Sequence, residues 1–320
     1  MLAPAVGLDG EPDALPVTLN THEPFVMVAL GVQGGGKSHT LATVLESCLL
    51  PLAHGGAQVV QLAAPMSALV LHYDSSESSL CEATGLATPS PALARALGRA
   101  GEPPPAVPRE KIVVLVSPSF YAQRKLFYGG GFTVRPLLFR WASLTADHIK
   151  RIMRISEKDS QLYVATMLNM LRQYQRAGVI PRWDVFIAQI REACSVKGQS
   201  GPLDQRIALL ESLVRESAVN ASIAGDAADL ASATAPGTLV IVDLTDPLLS
   251  SGEANGVFQV LVEQYRALPI RGGKVCVLLP HGGGGGGAAA AASPAQRDAE
   301  RAGHPHPPST TPSSPHAALR

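Results

Sequence analysis

The segment Gly31-Val-Gln-Gly-Gly-Gly-Lys37-Ser38 limits what this chain can fold into more than any other. It has the spacing GxxxxGK followed by Ser or Thr, and each position has a physical task. Glycines let successive backbone N–H groups turn inward around an anion, where a Cβ would block the approach. Lys37 supplies a point charge that reaches β- and γ-phosphates, and the Ser38 hydroxyl suits Mg²⁺. The loop needs a strand before it and a helix after it, because the helix start adds its positive dipole to the same anion site. Both flanks fit that requirement. Pro24-Phe-Val-Met-Val-Ala-Leu30 is continuously apolar, as in a strand buried in a parallel sheet, and Ser38–Leu50 reads as a helix stopped by Pro51. The expected nucleotide contacts are Gly31, Gly34, Gly35, Gly36, Lys37, Ser38 and His39, with Ser38 also on the metal.

The rest of the chain supplies the sheet. Ala68–Tyr73, Lys111–Val116, Arg135–Trp141, Thr238–Val242 and Lys274–Leu279 all read as short apolar strands. Between residues 145 and 217 the period changes to that of helices, and Asn255–Arg266 is a further helix. Strands alternating with helices indicate an α/β fold with a largely parallel sheet, helices on both faces and an α-helical insertion. The expected organisation is a loose N-terminus over 1–20 and a core in two halves, 21–144 and 218–281. The insertion at 145–217 separates them, and a tail of low complexity follows at 282–320. Six glycines, five alanines and a Pro/Ser/Thr/His mixture in that tail cannot build a packed core.

Composition excludes several classes. Twenty-six basic and twenty-six acidic residues cancel, so no global field favours nucleic acid or an anionic membrane. No apolar run approaches the roughly 18 residues of a membrane span. The first twenty residues carry acids and no Lys or Arg, unlike a secretory or mitochondrial presequence. Cys48, Cys81, Cys194 and Cys276 stand far apart, which suits a reducing intracellular compartment, cytoplasmic or nuclear.

Nucleotide hydrolysis asks for an acid at the end of a neighbouring strand. Asp243 ends Thr238–Val242, a position that serves a magnesium shell and a helix cap or turn equally well. Asp246, before Pro247, reads as a turn residue, and His72 as a packed or hydrogen-bonded core histidine. Lys150, Arg151 and Arg154 read as a solvated helix face, and Met153, Met167 and Met170 as helix packing.

Gly31–Ser38, His72-Tyr-Asp74, Thr238–Pro247 and the helix Ala254–Arg266 together resemble the HerA/FtsK-type P-loop ATPases, particularly an uncharacterised fungal branch. The resemblance spans about residues 20–278 and implies a RecA-like P-loop NTPase fold that binds ATP and Mg²⁺. It also implies a homo-oligomeric ring acting on DNA. In that group the strand after the Ala254–Arg266-like helix closes on Asp-Glu-Ala-His; here Val277-Leu278-Leu279-Pro280-His281 stands there, so both acids are missing. The resemblance then makes Asp243 an auxiliary strand end rather than the main magnesium acid. A shifted reading frame, a truncation or a degenerate paralogue each accounts for the missing acids and the glycine run together. The expectation is an ATP-binding P-loop protein of translocase or helicase type, or alternatively a nucleotide-binding scaffold with little hydrolysis.

Overall fold

The computed structural model describes residues 20, 23–32, 35–50, 53–54, 57–58, 62, 64–74, 76–90, 105–155, 162–194 and 200–279. Gly34, Pro280, His281, nearly all of the N-terminal 1–20 and the whole of 282–320 therefore lie outside the described residues.

Five strands form one sheet: β1 Ser67–His72, β2 Ile112–Val116, β3 Thr133–Pro136, β4 Leu239–Asp243 and β5 Lys274–Leu279. Their order is β3-β2-β4-β1-β5, and every neighbouring pair is parallel, so the chain has an α/β fold. Every residue of β1 and β4 is buried, which is why these strands read as unbroken apolar runs rather than alternating ones. Register places Val116, Asp243, His72 and Leu279 in one row across four strands at their carboxyl ends.

Helices cover both faces. On one lie α1 (Lys37–Leu49) and α2 (Tyr121–Tyr128), packed on Ala68, Val70, Val114, Leu239 and Ile241. On the other, Leu69, Leu71, Leu115, Val240 and Val242 meet the remaining helices. These are α3 (Ala146–Ile152), α4 (Leu162–Ala177), α5 (Trp183–Ala193), α6 (Ser200–Leu213), α7 (Leu230–Ala233) and α8 (Ser251–Ala267). The period-two alternation of the strands thus divides the core into two layers. Capping boxes start α3 at Thr145 with His148 and α8 at Ser250 with Glu253. All connections share one hand. Those moving toward β3 cross the α1 face, and those moving toward β5 cross the α8 face.

The main correction concerns Pro24–Leu30. The expected buried strand is not in the sheet; Val26, Val28 and Leu30 are exposed. An apolar run becomes a strand only by pairing its backbone, and these residues have no ladder partner among the described residues. The expected Arg135–Trp141 strand is shorter and earlier, since past Pro136 only single bridges from Leu137 to Ala228 and Phe139 to Val214 continue it. Helix α2 was not expected; its buried Tyr121, Arg124 and Tyr128 lie three and four residues apart, one face of a helix.

Helix α8 crosses α3 so closely that a Cβ on Gly256 would stand 2.7 Å from the Arg151 carbonyl oxygen. Backbone cannot yield there as a side chain can. Gly256→Ala should therefore cost about 1–3 kcal/mol despite the better helix propensity of Ala. At Gly252 a Cβ meets only the movable Arg154 guanidinium, so Gly252→Ala should be near neutral. Urea denaturation of the two variants tests the contrast; equal losses would contradict it.

Candidate functional site

Glycine decides the geometry at the start of α1. Gly36 is the N-cap residue with φ of 79°, a left-handed conformation that side chains resist. It provides no side-chain cap, and the first turn of α1 carries no acid, so the first N–H donors have no partner among the described residues and the positive helix end is uncompensated there. The Gly35 N–H donates to the Val32 carbonyl at 3.1 Å. Lys37 folds back over the loop, with Nζ donating to the carbonyls of Gly31 at 2.9 Å and Val32 at 2.7 Å. Gly31, Ser38 and His39 are exposed beside it.

The same end of α1 lies at the carboxyl end of the sheet. The Met66 N–H donates to the Cys48 carbonyl at 2.9 Å, which ties the last turn of α1 to the start of β1. Thirteen helical residues and six strand residues both span about 20 Å, so α1, packed along the sheet, begins where β1 ends. Parallel sheets bind ligands at this end, and most often where neighbouring connections diverge. Here β2 leads toward β3 and β4 toward β5, so the divergence lies between the ends of β2 and β4.

At that point lies a buried polar network. Asp243, the last residue of β4, is fully buried and forms an ion pair with Arg124, itself 1% exposed. Its carboxylate also accepts from Tyr128 Oη at 2.6 Å and from the Thr245 N–H at 3.0 Å. Arg124 donates further to the carbonyls of Glu77 and Ser79. Burial, with the Asp243 charge beside it, pushes the Tyr128 phenol far above its ordinary range and keeps it a donor. One turn on, Asp246 accepts from Ser117 Oγ at 2.6 Å, from Ser119 Oγ, and from the Leu248 N–H at 2.8 Å. Asp246 is thus the turn residue its sequence suggests, and also a bolt between the ends of β2 and β4.

His72 ends β1 beside Asp243 in the register. It is 7% exposed, and neither ring nitrogen has a hydrogen-bond partner among the described residues. It is packed, then, but not hydrogen-bonded as the sequence allowed. Leaving such a group unpaired costs roughly 1–3 kcal/mol. Burial pushes its pKa below the usual histidine value, with the Asp243 charge opposing.

The oxygen donors suit magnesium only in part. Ser38 stands exposed at the helix start, whereas Asp243 is occupied by Arg124, Tyr128 and Thr245, so a cation would have to displace Arg124. Among the described residues no cluster of three or more His, Cys, Asp or Glu could hold a metal ion. Arg124 and Tyr128 were missed by sequence reasoning; their i, i+4 spacing was the available signal. Arg151 is half-buried and pairs with Asp147 and Glu263, and Arg154 lies past the end of α3 with φ of 52°, so Lys150, Arg151 and Arg154 do not form the single solvated helix face expected. Met153 and Met167 are buried among helices, as expected. All four cysteines are free, and no helix among the described residues is long and apolar enough to cross a membrane.

Removing one partner of the Arg124–Asp243 pair strands the other charge in the core. Arg124→Met should cost about 3–5 kcal/mol, while Arg124→Met with Asp243→Leu should recover much of that loss. Denaturation midpoints of the single and double variants test this, and additive losses would contradict it. For His72 the folded-state pKa is lowered, so between that value and the unfolded value of about 6.5 the unfolded chain binds more protons. Its contribution is present above that unfolded value and is lost as pH falls below it. The Tm should drop on acidification from pH 7.5 to 5.5, and His72→Phe should flatten that drop; an unchanged slope would contradict the assignment.

Neither a protein-family model nor a curated protein matches the chain, so the site stands on its own geometry.

Proposed function

We infer that the chain is a nucleotide-binding protein of the RecA-like P-loop kind, holding ATP with Mg²⁺ at Gly31–Ser38. One observation carries the reading: a left-handed Gly36 opens an uncapped helix at the carboxyl end of a parallel sheet, with Lys37 folded over the loop. The residues fit a phosphate chain. Gly35 and Gly36 leave room for close backbone approach, the first-turn N–H groups have no acceptor among the described residues, and Lys37 can exchange two carbonyl acceptors for phosphate oxygens. Bound Mg²⁺ supplies charge neutralisation at the phosphates, and Ser38 is the side chain that would hold it.

Binding without rapid turnover is the form of this reading that the residues favour. Asp243 is occupied by Arg124, and Leu279 ends β5 where the resemblance would place an acid. No described carboxylate at these two strand ends is free to orient water. A ring-forming motor acting on DNA is the extension that the resemblance implies, and ATP binding is its prerequisite.

Calorimetry with Mg-ATP tests the proposal. Lys37→Ala should weaken binding about 10- to 150-fold without abolishing it, because the amide cradle remains. Steady-state phosphate release should stay far below about 1 s⁻¹. Unchanged affinity in Lys37→Ala would overturn the phosphate site, and a vigorous Lys37-dependent ATPase would overturn the slow-turnover form.

A further inference from the structure

The α8 face of the sheet carries an open space that the phosphate-site reading does not use. Helix α8 and strand β5 lie side by side and run in opposite directions. Lys274, which opens β5, donates to the carbonyls of Tyr265, Arg266 and Leu268 at the end of α8. Between the two elements opens a cavity of about 860 Å³, a size that small-molecule sites share. Leu71, Phe258, Val262, Cys276 and Leu278 give it an apolar floor.

Two periods set its shape. Cys276 and Leu278 are alternate residues and share one side of β5. Along α8, Asn255, Gln259, Val262 and Arg266 stand at i, i+4, i+7 and i+11, a single stripe about 16 Å long. The cavity is therefore a trough, with Arg266 toward the start of β5 and Asn255 toward its end. Charge distinguishes those ends. Glu263, midway along, is met by Arg151 and His148 at 3.5 Å each. Lys274 offsets the negative end of the α8 dipole. Arg266 is exposed and has no carboxylate partner among the described residues.

We propose that this trough binds a free alkyl carboxylate, with its chain along the apolar floor and its head group on Arg266. The chain would take Cys276 and Leu278, both exposed, out of water. A guanidinium meets a carboxylate through two parallel N–H···O bonds, which fixes the head at one end. A linear ligand suits the space because its one unpaired cation stands at the end of an elongated apolar floor. Leu71 places the trough on the α8 face, whereas α1 packs on the other, so the inference is independent of the phosphate site.

Calorimetry of the full chain with decanoate, kept below its micelle concentration, tests the proposal beside the uncharged decanol. Both should bind. Arg266→Gln should weaken decanoate by about tenfold or more and leave decanol unchanged, because only the carboxylate loses a charge-assisted contact. Leu278→Asp should weaken both, since it sets a charge into the apolar floor. Arg266 and Leu278 are exposed, the latter by 59%, so both variants keep the fold. Cys276 reports the location: bound decanoate should slow its alkylation by iodoacetamide, while Cys48, Cys81 and Cys194 are buried throughout.

No binding of decanoate, or binding only to phosphatidylglycerol vesicles, overturns the inference. So does an Arg266→Gln variant with full decanoate affinity, or a Cys276 that decanoate leaves unprotected. Each of these results leaves the reading of Gly31–Ser38 where it stands, and a failure of Mg-ATP to bind there leaves the trough untouched.

Discussion

A parallel sheet returns every connection across one of its faces, and the twist of the strands gives all those connections one hand. The architecture of this chain depends on that constraint. With β1 and β4 buried on both sides, the chain needs two apolar layers, and the alternation of Ala68, Leu69, Val70 and Leu71 feeds each layer in turn. The helices between β3 and β4 occupy the α8 face because the chain is moving toward β5 there. Helix α1 occupies the other face and brings its uncapped start to the carboxyl end of the strands.

What gathers at that end is a set of polar groups that burial makes expensive unless they are paired. Arg124, Tyr128 and Thr245 satisfy Asp243, and Ser117, Ser119 and Leu248 satisfy Asp246. Each cluster joins the end of β4 to another element, α2 in the first case and the end of β2 in the second. Such buried pairing adds less net stability than the same volume of apolar contact, but it specifies which elements meet. His72 is the exception, a buried imidazole beside this network without a hydrogen-bond partner among the described residues. The strand end that a catalytic reading would use for metal is thereby committed to structure. This is the physical basis for proposing nucleotide binding with little turnover.

The loop itself stands differently. Its determinants are local: glycine freedom at position 36, a lysine long enough to fold back on carbonyls, and a helix start without a cap. None of these needs a paired strand before the loop, and Pro24–Leu30 has no ladder partner among the described residues.

Much of this was legible in the sequence. Continuous apolar runs marked β1, β2 and β4 to within a residue or so, because a strand buried on both faces needs no polar alternation. The same kind of run marked β5, an edge strand that leaves Cys276 and Leu278 exposed. The helix after Lys37 and the long α8 followed from periodicity and from their stops. Pairing was not legible. The run Pro24–Leu30 has the composition of a buried strand, but whether it joins the sheet depends on a backbone partner supplied by residues distant in sequence. The role of Asp243 was undecidable for the same reason. A carboxylate at a strand end can hold metal, cap a helix or meet a cation, and only the packing of α2 across β4 brought Arg124 and Tyr128 to it. Local chemistry was therefore written in the order of residues, whereas the partner of each buried charge and each strand edge was decided by which distant segments the crossovers brought together.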